Sequence, residues 1–407
     1  MNTFKSLYNT ELSKAIGEGK WLTPAYYENP IQLGTLWDIM VSQSSKINEF
    51  YSIISRIAQK ALISDDRDIL KLLFSEAPAG MDIEFHKELP SSCWNAPIIY
   101  RTDQALSGLI YEIQAPGSGW GDLYLYAKCL KELGFKIPDR YFDFPNAYIN
   151  NIVKATGKNN PKVFHMTDAA SVPYSIKYLQ AITSSGIHYW GLSPDVKMDE
   201  IDCLLAHSAT SIVTSNYFKT YIERAKENHI VFGISPNLVF DEKVIYLLPF
   251  YRKTRDLFSD DIRQLFPFTT IIEDGGFIDI DDRFVSIEEF VKRPSREKLY
   301  YLKYGGPDTN RNWGSRSVYR LDKTDSRKLL SKANELSQKG EIWLLQKDVS
   351  KLKSFKLTDD LESILKEKMT IKISGFYGMS EMFGVKVMAR HFFKVHGQKD
   401  TFVGLGI

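Results

Sequence analysis

The hydrophobic period of this chain changes along its length, and each change limits what the segment after it can fold into. Up to about residue 95, apolar residues recur at spacings of three and four. The pattern is clearest at Leu36, Ile39 and Met40 and then at Ile47, Phe50, Tyr51, Ile54 and Ile57, and it predicts amphipathic helices. At Pro97 the period becomes two. Ile98, Tyr100 and Thr102 alternate with Arg101 and Asp103; after QALSG, Leu109, Tyr111 and Ile113 alternate with Glu112 and Gln114, so this stretch reads as a hairpin. From Pro161, short apolar runs (KVFHM, HYWGL, CLLA, HIVFGI) are separated by helix-like stretches, the alternation expected of βαβ units on a small parallel sheet. After Pro236 the reading is strand-rich, through KVIYLLPF, GFIDIDD and LYYLKYGG. A helix follows from about Ser326 to Lys339, then a strand EIWLLQ and a final strand region near KVMARHFFKVHG.

These changes divide the chain into 1–95, 96–150, 151–240 and 241–407, with soft boundaries and no internal repeat. At roughly 150 residues per domain, 407 residues are enough for about two or three domains. Hydrophobic residues at 43% and charged residues at 25% are ordinary globular usage, which argues against bulk disorder. Lysine and arginine exceed aspartate and glutamate by 52 to 50, so no global field favours nucleic acid or an anionic membrane. Cys93, Cys129 and Cys203 match neither a zinc pattern nor a disulfide framework and read as reduced thiols. The first residues lack the apolar core of a signal peptide, and no apolar run approaches membrane-spanning length. A soluble, cytoplasmic protein is expected.

Within the hairpin, residues two apart on one strand share a face at about 6.7 Å. Arg101 and Asp103 are neighbours in this sense, as are Glu112 and Gln114. A two- or four-residue loop brings the two pairs onto one face, whereas an unbulged three- or five-residue loop separates them. Alignment would gather two carboxylates, an amide oxygen and a guanidinium, a set suited to a hard cation beside an anionic oxygen. The plain alternative, favoured on this pattern alone, is a solvated sheet face with an ordinary Arg/Asp pair.

Three other stretches could carry chemistry. APGSGWGD follows the second strand directly, and its glycines can bring backbone N–H groups close to a carboxylate or phosphate; a flexible turn explains them equally. YYLKYGGPDTNRNWGSRSVYRL places Lys303 near a strand end before Gly305, Gly306, Ser315 and Arg316, a point charge and backbone donors for a polyphosphate or else a surface hairpin. The spacing fits neither a Walker A loop nor a Rossmann fingerprint. EIWLLQKDV reads as a buried strand ending in Gln346 and Lys347, able to meet an adenine edge or simply to cap a core strand. The seven histidines are scattered, with no metal-pair spacing. Asp279, Asp281 and Asp282 in FIDIDD form a polar turn or a cation motif.

Taken together, YRTD, YEIQAPGSGWGD, YYLKYGG and WLLQKDV resemble the glutathionylspermidine synthetase-like, circularly permuted branch of the ATP-grasp ligases, over roughly Pro97 to the C-terminus. The resemblance implies an α+β ATP-grasp fold with a helical N-terminal region and an inserted Rossmann-like α/β domain at 151–240. The core would be split between 96–150, with its metal-binding hairpin, and the ATP-binding part at 241–407. It implies ATP and Mg2+ as cofactors and amide-bond formation between a carboxylate and an amine through an acylphosphate. By this match Arg101 is the transition-state arginine, and Asp103 and Glu112 are magnesium ligands. Gln114 stands third, where the family usually has asparagine. Lys303 meets the ATP phosphates beneath a loop running through Gly305, Gly306, Ser315 and Arg316, and Gln346 and Lys347 form the adenine-side hinge. Ser118 and Trp120 would contact the acceptor substrate. Nothing here counterparts the amidase domain of some relatives. Small-molecule acid and amine are the expected partners, with neither nucleic acid nor membrane. Two other classes remain: a sugar-nucleotide glycosyltransferase using FIDIDD, and a nucleotide-binding protein that turns nothing over.

Overall fold

The computed structural model describes residues 4–16, 25–74, 76–77, 81–114, 120–167, 178, 183, 187–191, 200–206, 209–213, 215–308, 311, 317–350, 352, 354–379, 381–392 and 401–407. The chain is mixed α and β and forms two compact units. One comprises Met1–Asn48, Pro90–Pro236 and Leu352–Ile407, and the other Glu49–Leu89 and Asn237–Lys351.

The first unit is built on a six-stranded sheet in the order Ala25–Tyr26, Phe402–Gly406, Met382–Arg390, Thr370–Gly378, Ile99–Gln104 and Ile110–Gln114. The first pair is parallel and the rest antiparallel. One face packs Ile371, Ile373, Val385, Val387 and Ala389 against Leu36, Met40, Leu361 and Ile364, so the helix Asp359–Lys366 and the start of the helix Thr35–Ser64 cover it. On the other face, Phe376, Met388, Val403 and Leu405 pack with Leu123, Tyr126 and Leu130 of the helix Trp120–Glu132. The sheet is thus sandwiched by helices.

A second sheet in this unit is parallel throughout, ordered Ile187–Gly191, Val163–Thr167, Cys203–Ala206 and Val231–Phe232. The short apolar runs of the sequence become these strands. The connection from Ala206 to Val231 carries the helices Ala209–Val213 and Phe218–Lys226.

The second unit contains an antiparallel sheet ordered Val318–Arg320, Tyr300–Tyr304, Trp343–Lys347 and Thr269–Ile271, and a hairpin Gly276–Ile278 with Phe284–Ser286. Leu302, Tyr304, Trp343 and Leu345 face the helices Ile287–Lys292 and Ser326–Ser337. Asp325 caps the longer helix by accepting the Lys328 N–H at 3.1 Å, which stops it from starting earlier.

KVIYLLPF is not a strand. Lys243–Tyr246 is a 3-10 turn followed by further turns, and residues 243–249 are all buried. An apolar run buried on every side carries no period with which to separate strand from helical turn. The strand Thr370–Gly378, conversely, lies in TIKISGFYG, which the sequence reading passed over.

Candidate active site

The hairpin strands Ile99–Gln104 and Ile110–Gln114 are joined by residues 105–109, a loop length that would put the two polar pairs on opposite faces. A bulge cancels the slip. Gln104 pairs with Ile110 but Asp103 pairs with Glu112, so Tyr111 is the extra residue, and Arg101 lies opposite Gln114. The turn closes with the Gly108 N–H donating to the Ala105 carbonyl at 2.9 Å. Gly108 sits at φ +82°, where a Cβ would also meet Ile39 Cγ2 at 2.8 Å, so glycine is required there.

On the other side, the strand Thr370–Gly378 pairs Ser374 with Asp103. Lys372, two residues earlier, shares that face. Asp103 is the centre of the resulting cluster. Its Oδ1 accepts from Ser374 Oγ at 2.8 Å and lies 3.2 Å from Arg101 Nε; its Oδ2 accepts from Lys372 Nζ at 2.8 Å and from Gln114 Nε2 at 3.4 Å. The Gln114 carbonyl oxygen accepts from Arg101. Burial alone would raise the Asp103 carboxyl, but Arg101 and Lys372 outweigh it and hold the group well below the usual carboxylate range. Burial, with Arg101 adding repulsion, lowers Lys372 against the pull of Asp103.

The helix Trp120–Glu132, which follows this hairpin in the chain, is anchored at its first turn. Residues 115–119, including Ser118, lie outside the described residues, as does the Trp120 side chain. Asp122, in the first turn of the helix Trp120–Glu132, accepts from Lys386 Nζ at 2.8 Å and from the Tyr8 hydroxyl at 3.3 Å.

In the second unit, Lys303 lies on the sheet face opposite its helix-covered core. Lys303 Nζ donates to Gln346 Oε1 at 2.6 Å, and Gln346 Nε2 donates to Thr269 Oγ1 at 3.3 Å, so the buried carboxamide of Gln346 bridges the lysine to the neighbouring strand. The Lys347 N–H donates to the Phe268 carbonyl and the Asp348 N–H to the Leu299 carbonyl, so both are spent within the sheet. On the same face Arg320 pairs with Asp322 at 2.9 Å and with Asp348 at 3.3 Å. Gly305 and Gly306 also have a packing reason. A Cβ on Gly305 would meet Ile342 Cγ2 at 2.8 Å, and one on Gly306 would meet the Tyr304 hydroxyl at 2.5 Å. Ser315 and Arg316 lie outside the described residues.

FIDIDD is a turn whose carboxylates are largely spent. Asp279 Oδ1 accepts the N–H groups of Asp281 and Arg283 at 3.0 Å each, and Asp282 forms a two-point pair with Arg255 at 2.6 and 2.7 Å. A cleft of about 390 Å³ beside this turn is lined by Tyr251, Arg252, Arg255 and Asp279, among others, and by neither Lys303 nor Gln346. All three cysteines are buried thiols. Burial pushes Cys93 and Cys129 up to about 12 and Cys203 higher, which removes them as nucleophiles near neutral pH. No helix among the described residues is long and apolar enough to cross a membrane.

Sequence reasoning missed Lys372, Ser374 and Thr269. The signal for the first two was the alternation of Lys372 and Ser374 with Ile371 and Ile373, the same period two that marked the hairpin.

No protein-family model and no curated protein matches this sequence. Among solved structures, the chain is similar to a glutathione synthetase-like effector from Globodera pallida in its apo form. The identity is 10%, the TM-score 0.54, and the match covers 99% of this chain and 96% of that one. The fold is therefore glutathione synthetase-like.

Proposed function

We propose that the chain is an ATP-dependent carboxylate–amine ligase of the circularly permuted ATP-grasp type. The bulge at Tyr111 carries this reading: it sets Arg101 and Asp103 opposite Gln114 and Glu112, the arrangement that the R-x-D and E-x-N strands of that family require. The glutathione synthetase-like fold supports it.

In this reading ATP phosphorylates a substrate carboxylate, and the amine then displaces phosphate from the acylphosphate to leave an amide. Phosphoryl transfer needs positioning and charge neutralisation more than covalent help. Arg101, steadied by Asp103 and Gln114, meets the charge that develops on the transferring group. Lys303 meets ATP phosphate, and Gln346 orients Lys303 by accepting from its ammonium. The hinge role is left to the apolar strand and to Lys347. Ser118, Trp120, Ser315 and Arg316 are kept as proposed substrate and nucleotide contacts. Magnesium has no step here, because the donor set as arranged does not fit it. Asp103 is closed by Lys372 and Ser374, and the Gln114 oxygen is turned to Arg101.

That closure favours a second reading, a nucleotide-binding protein without turnover. Product analysis separates the two. Screening amino acids, small peptides and polyamines for ADP release, with mass spectrometry for a joined product, should find ADP and phosphate only when acid and amine are both present. Arg101→Ala should lower that rate by about 10²–10³ with the fold retained, the usual loss for one donor aimed at developing charge. Near-normal synthesis by this variant would contradict its role.

A further inference from the structure

On the hairpin face, the two cations beside Asp103 reach closer to solvent than the carboxylate they pair with. The side chains of Lys372 and Arg101 are 16% and 12% exposed, while that of Asp103 is 5% exposed. A carboxylate meant for a divalent ion would present its oxygens outward. Here both oxygens face donors or cations: Oδ1 accepts from Ser374 and lies 3.2 Å from Arg101 Nε, and Oδ2 accepts from Lys372, Gln114 and Arg101 Nη2. The ammonium at 2.8 Å stands on the oxygen a metal would use.

Magnesium needs oxygen contacts at about 2.0–2.1 Å in near-octahedral order. Bound to the same Asp103 oxygen, it would lie a few ångströms from the Lys372 charge, and the two would repel strongly inside a part-buried site. The Gln114 amide also turns its nitrogen, not its oxygen, to Asp103, which removes another ligand from that point. Glu112 stands opposite Asp103 and adds its negative charge to the surroundings of Lys372, which helps to keep the ammonium in place.

We infer that Lys372 is the resident cation of this site. Its ammonium takes the seat beside Asp103 that a divalent ion would otherwise fill and, with Arg101, presents positive charge to a phosphoryl group. The seat follows from the geometry alone, whereas the phosphoryl role rests on the function proposed above.

Two measurements separate these parts. In the first, the full chain is titrated with Mn2+ alone, and bound metal is read by electron paramagnetic resonance. Wild type and Lys372→Arg should show no site that depends on Asp103. Lys372→Met should gain one, about tenfold tighter than anything in wild type, and should lose it when Asp103→Asn is added. In the second, a fluorescent ATP analogue is titrated with and without a chelator. Wild-type affinity should change by less than about threefold, and Lys372→Met should weaken by about tenfold when metal is removed. A wild-type Mn2+ site abolished by Asp103→Asn would overturn the inference, and that arm holds even if Lys372→Met does not fold. Absence of any nucleotide binding would overturn the phosphoryl role and the proposed function together, while the Mn2+ arm still decides the seat.

Discussion

Asp103 shows what a sequence can and cannot reveal about a residue. Its strand, its face and its closeness to Arg101 follow from period two, because alternation fixes which side chains share a side. Its partners Lys372 and Ser374 stand 269 and 271 residues later, and no local spacing brings them to position 103. His86 is similar: isolated in sequence, it is 1% exposed in the structure. Its Nδ1 donates to the Asp82 carbonyl at 2.8 Å, and its Nε2 accepts the Leu238 N–H at 3.2 Å, an arrangement that suits the neutral ring. Burial is the largest cause that lowers it, to about 4 from 6.5. The unfolded chain therefore binds a proton first as pH falls, and the stability His86 contributes is present above pH 6.5 and lost towards pH 4. Between pH 7 and pH 5 this amounts to about 2 kcal/mol. Urea midpoints at both pH values should show a fall in wild type that is smaller by this amount in His86→Gln. An identical fall in both proteins would contradict it.

At the scale of elements, a single inserted residue decides the site. Without the bulge at Tyr111, the five-residue connection would turn Glu112 and Gln114 to the opposite face from Arg101 and Asp103. Loop length was the ambiguity in the sequence, since a bulge leaves no compositional mark in an alternating strand. The sheet beside it is held by close packing. Gly384 lies under Tyr141, and a Cβ there would come within 2.5 Å of Cε1 of that fully buried ring. The Tyr141 hydroxyl meanwhile accepts the Val385 N–H at 3.2 Å and donates to the Gly406 carbonyl, so the ring cannot retreat without breaking both. Gly384→Ala should cost about 1–3 kcal/mol, the range for overfilling a packed core. It is measured by denaturant unfolding, and a loss under half a kcal/mol would show that the ring yields freely.

For the whole molecule, the chain passes between its two units at Asn48, Leu89, Pro236 and Lys351. The passage at Pro236 coincides with a change of hydrophobic pattern, whereas the one at Leu89 precedes the change of period at Pro97. The passage at Lys351, between the strand Trp343–Lys347 and the helix Asp359–Lys366, falls where the sequence shows no such change. The passage at Asn48 falls inside the helix Thr35–Ser64, where an unbroken period hides it. Strands were legible across most of both units; KVIYLLPF, buried on all sides, carries no period, and the alternation of TIKISGFYG was the other exception. The proposed ligation is a claim at this scale, because it draws on residues of both units, Arg101 of one and Lys303 of the other. ADP release by purified full-length chain, supplied with ATP and paired acid and amine, tests it most directly. ADP and phosphate should appear one for one with a product lighter than the summed substrates by one water. ATP cleavage without a joined product, or none with any pair, would contradict ligation.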